Sequence, residues 1–286
     1  MRQETEIVTE LLHFAHADEK VRAVIFNGSR VNPNVTKDLF CDYDVIFVVT
    51  DPRSYLDHQD WIRNFGDLIM MQQNNIQTEN ENEYIFLMLF TDGVRIDLSF
   101  RKVESINQHF HDSLTRVILD KDNCLKNFDP PSEKSYITLQ PPKAKFDKKI
   151  NNILWCSTNV AKGLWRNELP YAKFMLDIVV RQDFMNLLNW YVGVNNSWSV
   201  NTGTALKWLK NYLSNELWDS FENTYSGSIE TDIWDSLFEI IRLTKDIGQE
   251  IGEKLNYGYP THEHTNVVAY LEKVRLLPKD AKVIIS

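Results

Sequence analysis

Long apolar runs are missing from this sequence. The longest candidate, "YIFLMLF" at 84–90, falls far short of the roughly 18 residues that a helix needs to cross a bilayer. The amino terminus, "MRQETEIVTE", has no basic segment followed by an apolar core, so a secretory signal is not expected. We therefore expect a cytoplasmic protein without a membrane partner.

Cysteine and positive charge are also scarce. Cys41, Cys124 and Cys156 are the three cysteines, and their wide spacing indicates packed side chains rather than a zinc site or a disulfide framework. The formal net charge is −9. An acidic protein repels a phosphate backbone and attracts cations. The composition therefore argues against a nucleic-acid partner and favours a small cationic substrate.

The first half alternates helical and strand patterns. "TEIVTELLHFA" has helical spacing, "VRAVIF" at 21–26 is β-branched, and a helix capped by Ser54 is predicted around "SYLDHQDWIRNF". Two further strand-like runs, "EYIFLMLF" and "VRIDLSF", are separated by "TDG", in which Asp92-Gly93 is a tight-turn signal. The pattern predicts a mixed sheet flanked by helices.

A proline- and lysine-rich stretch at 129–145 interrupts both periodicities. Beyond it the patterns are helical, and seven of the eight tryptophans lie there. At 286 residues, the length is also that of about two domains. We predict an α+β protein with an N-terminal domain at 1–135 and a C-terminal all-α helical bundle at 136–286.

Two aspartates one residue apart open the most apolar strand of the first half. Asp42 and Asp44 precede "VIFVV", and alternate side chains on a strand project to the same face. Two carboxylates ~6 Å apart repel by about 3 kcal/mol at an effective dielectric near 20. Two interpretations remain open: a hydrated, solvent-exposed edge, or a divalent cation such as Mg²⁺ bound by hard oxygen ligands.

Neighbouring motifs favour the cation. "GSR" at 28–30 follows a strand, where a glycine and a serine let backbone N–H groups and a hydroxyl approach phosphate oxygens. Asp97, in "VRIDLSF", is a third carboxylate in a strand-like run, where aspartate rarely lies without a partner. Together these residues predict a site for a metal ion and a nucleotide.

Gly28-Ser29, twelve intervening residues, and then Asp42-Tyr43-Asp44 with a later Asp97 resemble the nucleotidyltransferase superfamily that includes DNA polymerase β. Along nearly its whole length the chain is similar to the aminoglycoside 6-adenylyltransferases, which modify streptomycin. The resemblance lies in "GSR", "DYD", "FGDLIMMQ", "IDLSF", "VILDKD", "AKGLWRNE", "LSNELWDSFENTYS" and "EKLNYGYP".

This resemblance implies a nucleotidyltransferase domain at 1–135 that uses ATP and Mg²⁺. Asp42, Asp44 and Asp97 would be the metal ligands. Gly28 and Ser29 would bind phosphate oxygens, and Arg30 would neutralise the leaving pyrophosphate. Asp97 would also contact the acceptor and take its hydroxyl proton as the catalytic base. The alternative for Asp97, a structural ion pair with Arg95 or Lys102, stays open.

The helical domain at 136–286 would bind the substrate. Glu168, expected at the start of a long helix, is the candidate for binding the cationic acceptor, and Lys162 is the candidate for binding phosphate. The alternative for both is an exposed helix face. Streptomycin-modifying relatives carry acids near Asn152 and Phe174, so the acceptor is less certain than the transfer.

We therefore expect an enzyme that transfers AMP from Mg-ATP to a hydroxyl of an aminoglycoside, with position 6 of streptomycin as the first acceptor. Transfer to another small molecule, to RNA or to protein, and nucleotide binding without transfer, remain alternatives. The partners are then ATP and a cationic aminoglycoside. The sequence does not indicate the oligomeric state.

Overall fold

A six-stranded sheet organises the first of two units, Met1–Ser135. In this computed structural model residues 1–77 and 82–284 are described. The unit contains α1 (Glu4–Ala17), β1 (Val21–Asn27), β2 (Tyr43–Val49), α2 (Arg53–Asp57), β3 (Leu68–Gln77), β4 (Asn82–Phe90), β5 (Arg95–Arg101), α3 (Val103–His109) and β6 (Thr115–Asp120). Short 3-10 turns occupy Gly28–Val31 and Asp60–Phe65.

The sheet is mixed, with the strand order β3-β4-β5-β2-β1-β6. β2 and β5 run parallel, whereas every other neighbouring pair is antiparallel. β2 and β5 therefore begin at the edge of the sheet where β1 ends. That edge carries the candidate site.

The two faces of the sheet are covered unequally. On one face, Val45 and Phe47 belong to a large core that includes Ile7 and Leu11 of α1. Full burial of such a side chain contributes roughly 1.5–3 kcal/mol. On the opposite face, a small cluster joins residues of β1 and β2 to Ile106 of α3. The smaller cluster leaves room on its face for polar side chains at the end of the strands.

Most elements predicted for the first unit are confirmed. The first helix, the strands β1 and β2, and the β4–β5 hairpin are present, and Gly93 N–H donates to Phe90 O across the turn. The prediction of a capped helix at 54–65 is wrong. Ser54 lies inside the five-residue α2, where its hydroxyl donates to Asp51 O at 2.8 Å. The apolar residues that follow α2 form a 3-10 turn, which Trp61 ties to Tyr55 O.

The second unit, Tyr136–Ser286, is helical throughout its described part. Its helices are α4 (Lys143–Trp165), α5 (Leu169–Phe174), α6 (Arg181–Asn195), α7 (Asn215–Glu222), α8 (Glu230–Leu255) and α9 (Thr261–Leu276), and a π-helical segment (Met175–Val180) joins α5 to α6. One apolar core includes residues of all six helices. Within the described ranges, no helix has both the length and the apolar character that membrane crossing requires.

Candidate active site

A row of polar side chains crosses four strands at one edge of the sheet. Thr115 of β6 pairs with Asn27 of β1, Asn27 pairs with Asp44 of β2, and Asp44 pairs with Asp97 of β5. Paired residues of neighbouring strands present their side chains on the same face, with the strands about 4.8 Å apart. The register therefore brings Asp44 beside Asp97, although 52 positions of sequence separate them.

Asp44 lies at the centre of a crowded acidic cluster. Burial raises the pKa of its carboxyl group to about 6, and the nearby charges of Asp97, Asp42 and Asp112 act in the same direction. Arg95 opposes this rise. A group held in this way favours the neutral form or a neighbouring cation, because its ionised form lacks water and faces like charges.

The turn at Gly28-Ser29 approaches Asp44 closely. Gly28 has a φ of +68°, and a Cβ atom placed on it would lie 2.4 Å from Asp44 Oδ2. Only glycine allows both this conformation and this approach. The Ser29 hydroxyl lies 3.3 Å from Cys41 Sγ, at the end of the loop that leads to the aspartates. The structure thus brings Gly28 against Asp44, and Ser29 follows it in the same turn.

Arg30 is held within the protein. Its guanidinium donates to Glu4 Oε2 at 3.0 Å, to Asp42 O at 3.2 Å and to Cys41 O, and it stacks 3.6 Å from the centroid of the Tyr43 ring. Its side chain is only 9% exposed. Each guanidinium nitrogen therefore has an oxygen partner already, and pyrophosphate contact by Arg30 remains a prediction that its present contacts do not favour.

Arg95 links the outer two aspartates. Its Nε and Nη2 atoms donate to Asp97 at 2.8 and 2.6 Å, and its Nε lies 3.5 Å from Asp42 Oδ2. Of the two structural partners considered for Asp97, the structure shows Arg95. The pairing leaves lone pairs on the Asp97 carboxylate, because a bidentate arginine uses one direction on each oxygen.

No group of three or more His, Cys, Asp or Glu side chains is arranged to hold a metal ion among the described residues. Asp97 and Asp42 both contact the Arg95 guanidinium. Asp42 and Asp44 nevertheless fit a hard divalent cation, because both offer carboxylate oxygens and a cation would relieve the crowding around Asp44.

Three polar residues at the site escaped the sequence interpretation. Asn27 is buried beside Asp44, its Nδ2 donates to Thr115 Oγ1 at 3.0 Å, and Asp112 Oδ2 lies 3.5 Å from the same nitrogen. Asn27 directly precedes the Gly-Ser turn, which is the only sequence signal that it carried. Thr115 and Asp112 follow α3 in the sequence and reach the site only through the pairing of β6 with β1.

Lys162 and Glu168 belong to the second unit, and both side chains are exposed. Lys162 is in the last turn of α4, and Glu168 is at the start of a long helical run, as expected. Asn167 takes a left-handed conformation with a φ of +58°, and Glu168 N–H closes the end of α4 by donating to Gly163 O at 2.8 Å. Glu168 directly precedes α5, which continues through the π-helical segment into α6 as one helical run at 169–195. Their binding roles remain predictions.

Asn152 and Phe174, the two positions that the resemblance singled out for the acceptor, differ in environment. Asn152 Nδ2 donates at 2.5 Å to Asp183, a buried residue that is also paired with Lys149. Phe174 is 55% exposed at the end of α5. An amide at 152 is therefore already engaged with an acid of its own unit.

A glycine–serine turn set against alternating aspartates, with a third aspartate in register on the next strand, has the elements expected of a nucleotidyltransferase. A family model described as streptomycin adenylyltransferase matches residues 1–274. The chain belongs to this family, and it is a nucleotidyltransferase enzyme.

Similar proteins carry one name. A Bacillus subtilis (strain 168) protein named aminoglycoside 6-adenylyltransferase is 33% identical over 280 residues, covering 96% of this chain and 98% of the relative. Proteins of the same name from Campylobacter jejuni and Staphylococcus aureus are 32% and 28% identical, each covering 92% of this chain and 93% and 95% of their own lengths. A crystal structure of a Bacillus subtilis aminoglycoside 6-adenyltransferase aligns with 29% identity and a TM-score of 0.48, covering 96% of this chain and 99% of that one.

Proposed function

We propose that this protein transfers AMP from Mg-ATP to a hydroxyl group of an aminoglycoside. The family model and the name shared by the relatives support the class of reaction. Position 6 of streptomycin is the first acceptor to test, because the family model carries the name of that antibiotic. Transfer to a cationic acceptor also agrees with the formal net charge of −9.

The observation that carries the proposal is the pairing of Asp44 with Asp97 in the sheet, beside the Gly28 turn. Nucleotidyl transfer needs a phosphate-binding turn, carboxylates that hold a cation, and a base close to both. Gly28, Asp44 and Asp97, to which we assign these roles, lie at one edge of the sheet. If Asp42 and Asp44 were only a hydrated, solvent-exposed pair, neither the Gly28 turn nor Asp97 would need to lie beside Asp44.

Each residue has a distinct role in the proposed reaction. Asp42 and Asp44 would hold Mg²⁺, whose charge would offset that of the triphosphate. Gly28 leaves space beside Asp44, and the Ser29 hydroxyl and backbone would bind phosphate oxygens. Arg30 would act by holding the carbonyl groups of Cys41 and Asp42 in place. The segment at Cys41 and Asp42 would then be kept in position by its hydrogen bonds to Arg30.

Asp97 would accept the proton of the attacking hydroxyl. The hydroxyl oxygen forms a bond to the α-phosphorus, the bond from that phosphorus to the bridging oxygen breaks, and pyrophosphate leaves with the electron pair. Arg95 remains a partner for one direction on each Asp97 oxygen. The second lone pair on each carboxylate oxygen, which Arg95 does not use, would accept the proton.

The second unit would contribute to acceptor binding through Glu168, with Lys162 as a phosphate contact. Both have the solvent exposure that a ligand contact needs. The pairing of Asn152 with Asp183 leaves this position without a free acid for a cationic acceptor. We therefore expect the range of accepted aminoglycosides to depend on Glu168 more than on position 152.

A mass-shift assay tests the proposal. The protein is incubated with Mg²⁺ and each of the four nucleoside triphosphates against streptomycin and structurally varied aminoglycosides. We expect a gain of one adenylyl group with ATP on streptomycin, and a gain at least about a hundredfold slower with Asp97→Asn. Absence of any product across the panel, with a folded protein that binds ATP, would contradict the transfer to aminoglycosides.

A further inference from the structure

Asn27 has a side-chain orientation that its neighbours determine. Thr115 Oγ1 donates its own hydrogen to Asp112 O at 2.7 Å, so it can only accept from the Asn27 amide. The Asn27 Nδ2 atom makes this bond at 3.0 Å. Because the nitrogen side of the amide is assigned by this contact, the other side must be the carbonyl oxygen, Oδ1.

The Oδ1 atom of Asn27 is buried without a hydrogen-bond partner. Asn27 as a whole is only 8% exposed. A buried acceptor that lacks a donor costs about 1–3 kcal/mol, and native proteins retain few of them. A bound cation or hydrogen-bond donor at Asn27 Oδ1 would therefore remove this cost and stabilise the folded protein.

The unpartnered oxygen is turned towards the aspartates. β1 lies between β6 and β2, so an amide whose nitrogen reaches Thr115 on β6 directs its oxygen to the β2 side. Asp44 is the residue paired with Asn27 on β2. The strand order and register therefore put Asn27 Oδ1 on the side of the amide towards Asp44, so that two oxygen acceptors belong to the same edge of the sheet.

The two oxygen acceptors, Asn27 Oδ1 and the Asp44 carboxylate, determine which kind of ligand can bind between them. A phosphate offers only acceptors at neutral pH and would repel both oxygens, whereas a hard divalent cation or the hydrogens of its bound water suit amide and carboxylate oxygens alike. We propose that Asn27 belongs to the cation site and contributes Oδ1, beside Asp42 and Asp44, as an oxygen contact to Mg²⁺ or to one of its water ligands. This inference rests on the cation site of the proposed function.

Cation binding without nucleotide or acceptor tests the inference independently of turnover. Mg²⁺ affinity is measured by calorimetry and Mn²⁺ affinity by electron paramagnetic resonance, for the wild type and for Asn27→Ala. We expect the dissociation constant of Asn27→Ala to rise roughly tenfold or more, the size of effect that supporting ligands of metal sites show. Unfolding in EDTA confirms that each variant is folded.

Two further variants separate a cation contact from a structural role. Thr115→Ala removes the hydrogen bond that orients the amide but keeps the Asn27 oxygen, so it should weaken Mg²⁺ binding by less than Asn27→Ala does. Asn27→Asp keeps an oxygen at this position, and it should restore binding. If Asn27→Ala does not fold, Asn27→Ser replaces it, because its hydroxyl is too short to reach the Oδ1 position.

Wild-type affinity for Mg²⁺ and Mn²⁺ in Asn27→Ala would overturn the inference. Equal losses in Asn27→Ala and Thr115→Ala would also overturn it, since the effect would then follow the hydrogen bond. Unchanged cation binding with a raised KM for the aminoglycoside would assign Oδ1 to the acceptor instead. Cation loss in Asn27→Ala with no transfer by the wild type would leave the inference standing and refute the proposed function.

Discussion

Replacing Asp44 by asparagine should stabilise the metal-free protein while it removes cation binding. In the folded state the pKa of Asp44 is raised from 3.8 to about 6 by burial and by neighbouring acids. The folded form therefore binds this proton more tightly than the unfolded form does. Its contribution to stability is fully present below pH 3.8 and is lost as the pH rises through 6.

The expected magnitude follows from the pKa difference. A shift of this size corresponds to about 3 kcal/mol of stability lost at pH 8, at 1.36 kcal/mol for each pKa unit. An asparagine has nearly the same shape, carries no charge, and offers an N–H group to Asn27 Oδ1. Asp44→Asn should thus raise the free energy of unfolding in EDTA by up to about 3 kcal/mol at pH 8, and change it little near pH 4.

Urea unfolding in EDTA at pH 4, 6 and 8 measures how the free energy of unfolding depends on pH. Repeating the series with Mg²⁺ measures the stabilisation that the bound cation provides. We expect Mg²⁺ to raise the urea midpoint of the wild type but not that of Asp44→Asn. Asp57→Asn is the matched control, because Asp57 lies in α2 away from the polar row. A loss of stability in metal-free Asp44→Asn that is equal at all three pH values would refute the reasoning.

Three other substitutions test the site. Gly28→Ala should abolish transfer and weaken ATP binding in equilibrium dialysis, because its Cβ would meet Asp44 Oδ2 and the left-handed conformation costs roughly 1–2 kcal/mol; wild-type ATP affinity would contradict this. Arg30→Met should lower the urea midpoint, by about 2–4 kcal/mol of unfolding free energy, since it strands the carbonyls of the aspartate loop; a loss confined to pyrophosphate release would instead support a phosphate contact. Asp97→Asn should keep ATP affinity but lower kcat by about 10²–10⁴, and an equal loss of ATP affinity would make Asp97 chiefly a metal ligand.

Several local features of the site could be predicted from the sequence because they depend on short-range geometry. Alternation predicts that Asp42 and Asp44 share a face, and the structure begins β2 at Tyr43, so that Asp44 lies on the strand and Asp42 directly precedes it. The Asp92-Gly93 turn joins β4 to β5, which delivers Asp97 on a neighbouring strand. Gly28 stood out as a residue that permits close approach, and the structure shows that Asp44 makes that approach.

Other features depend on partners that are distant in the sequence. The direction of the Arg30 guanidinium depends on Glu4, on the loop carbonyls and on the Tyr43 ring, and no local pattern reveals them. The strand β3 has an uncharged, mostly polar end without clear alternation, so its pairing with β4 did not show in the periodicity.

The sequence by itself determined which chemical groups this protein has: the Gly28-Ser29 turn, two aspartates one residue apart and a third acid on a separate strand. The tertiary structure decided how those groups meet. Strand register places Asn27, Asp44 and Asp97 in one row, and hydrogen bonding engages Arg30 and orients the Asn27 amide. The reason is that register and side-chain direction depend on contacts between distant parts of the chain, whereas alternation and turn chemistry depend only on neighbouring residues.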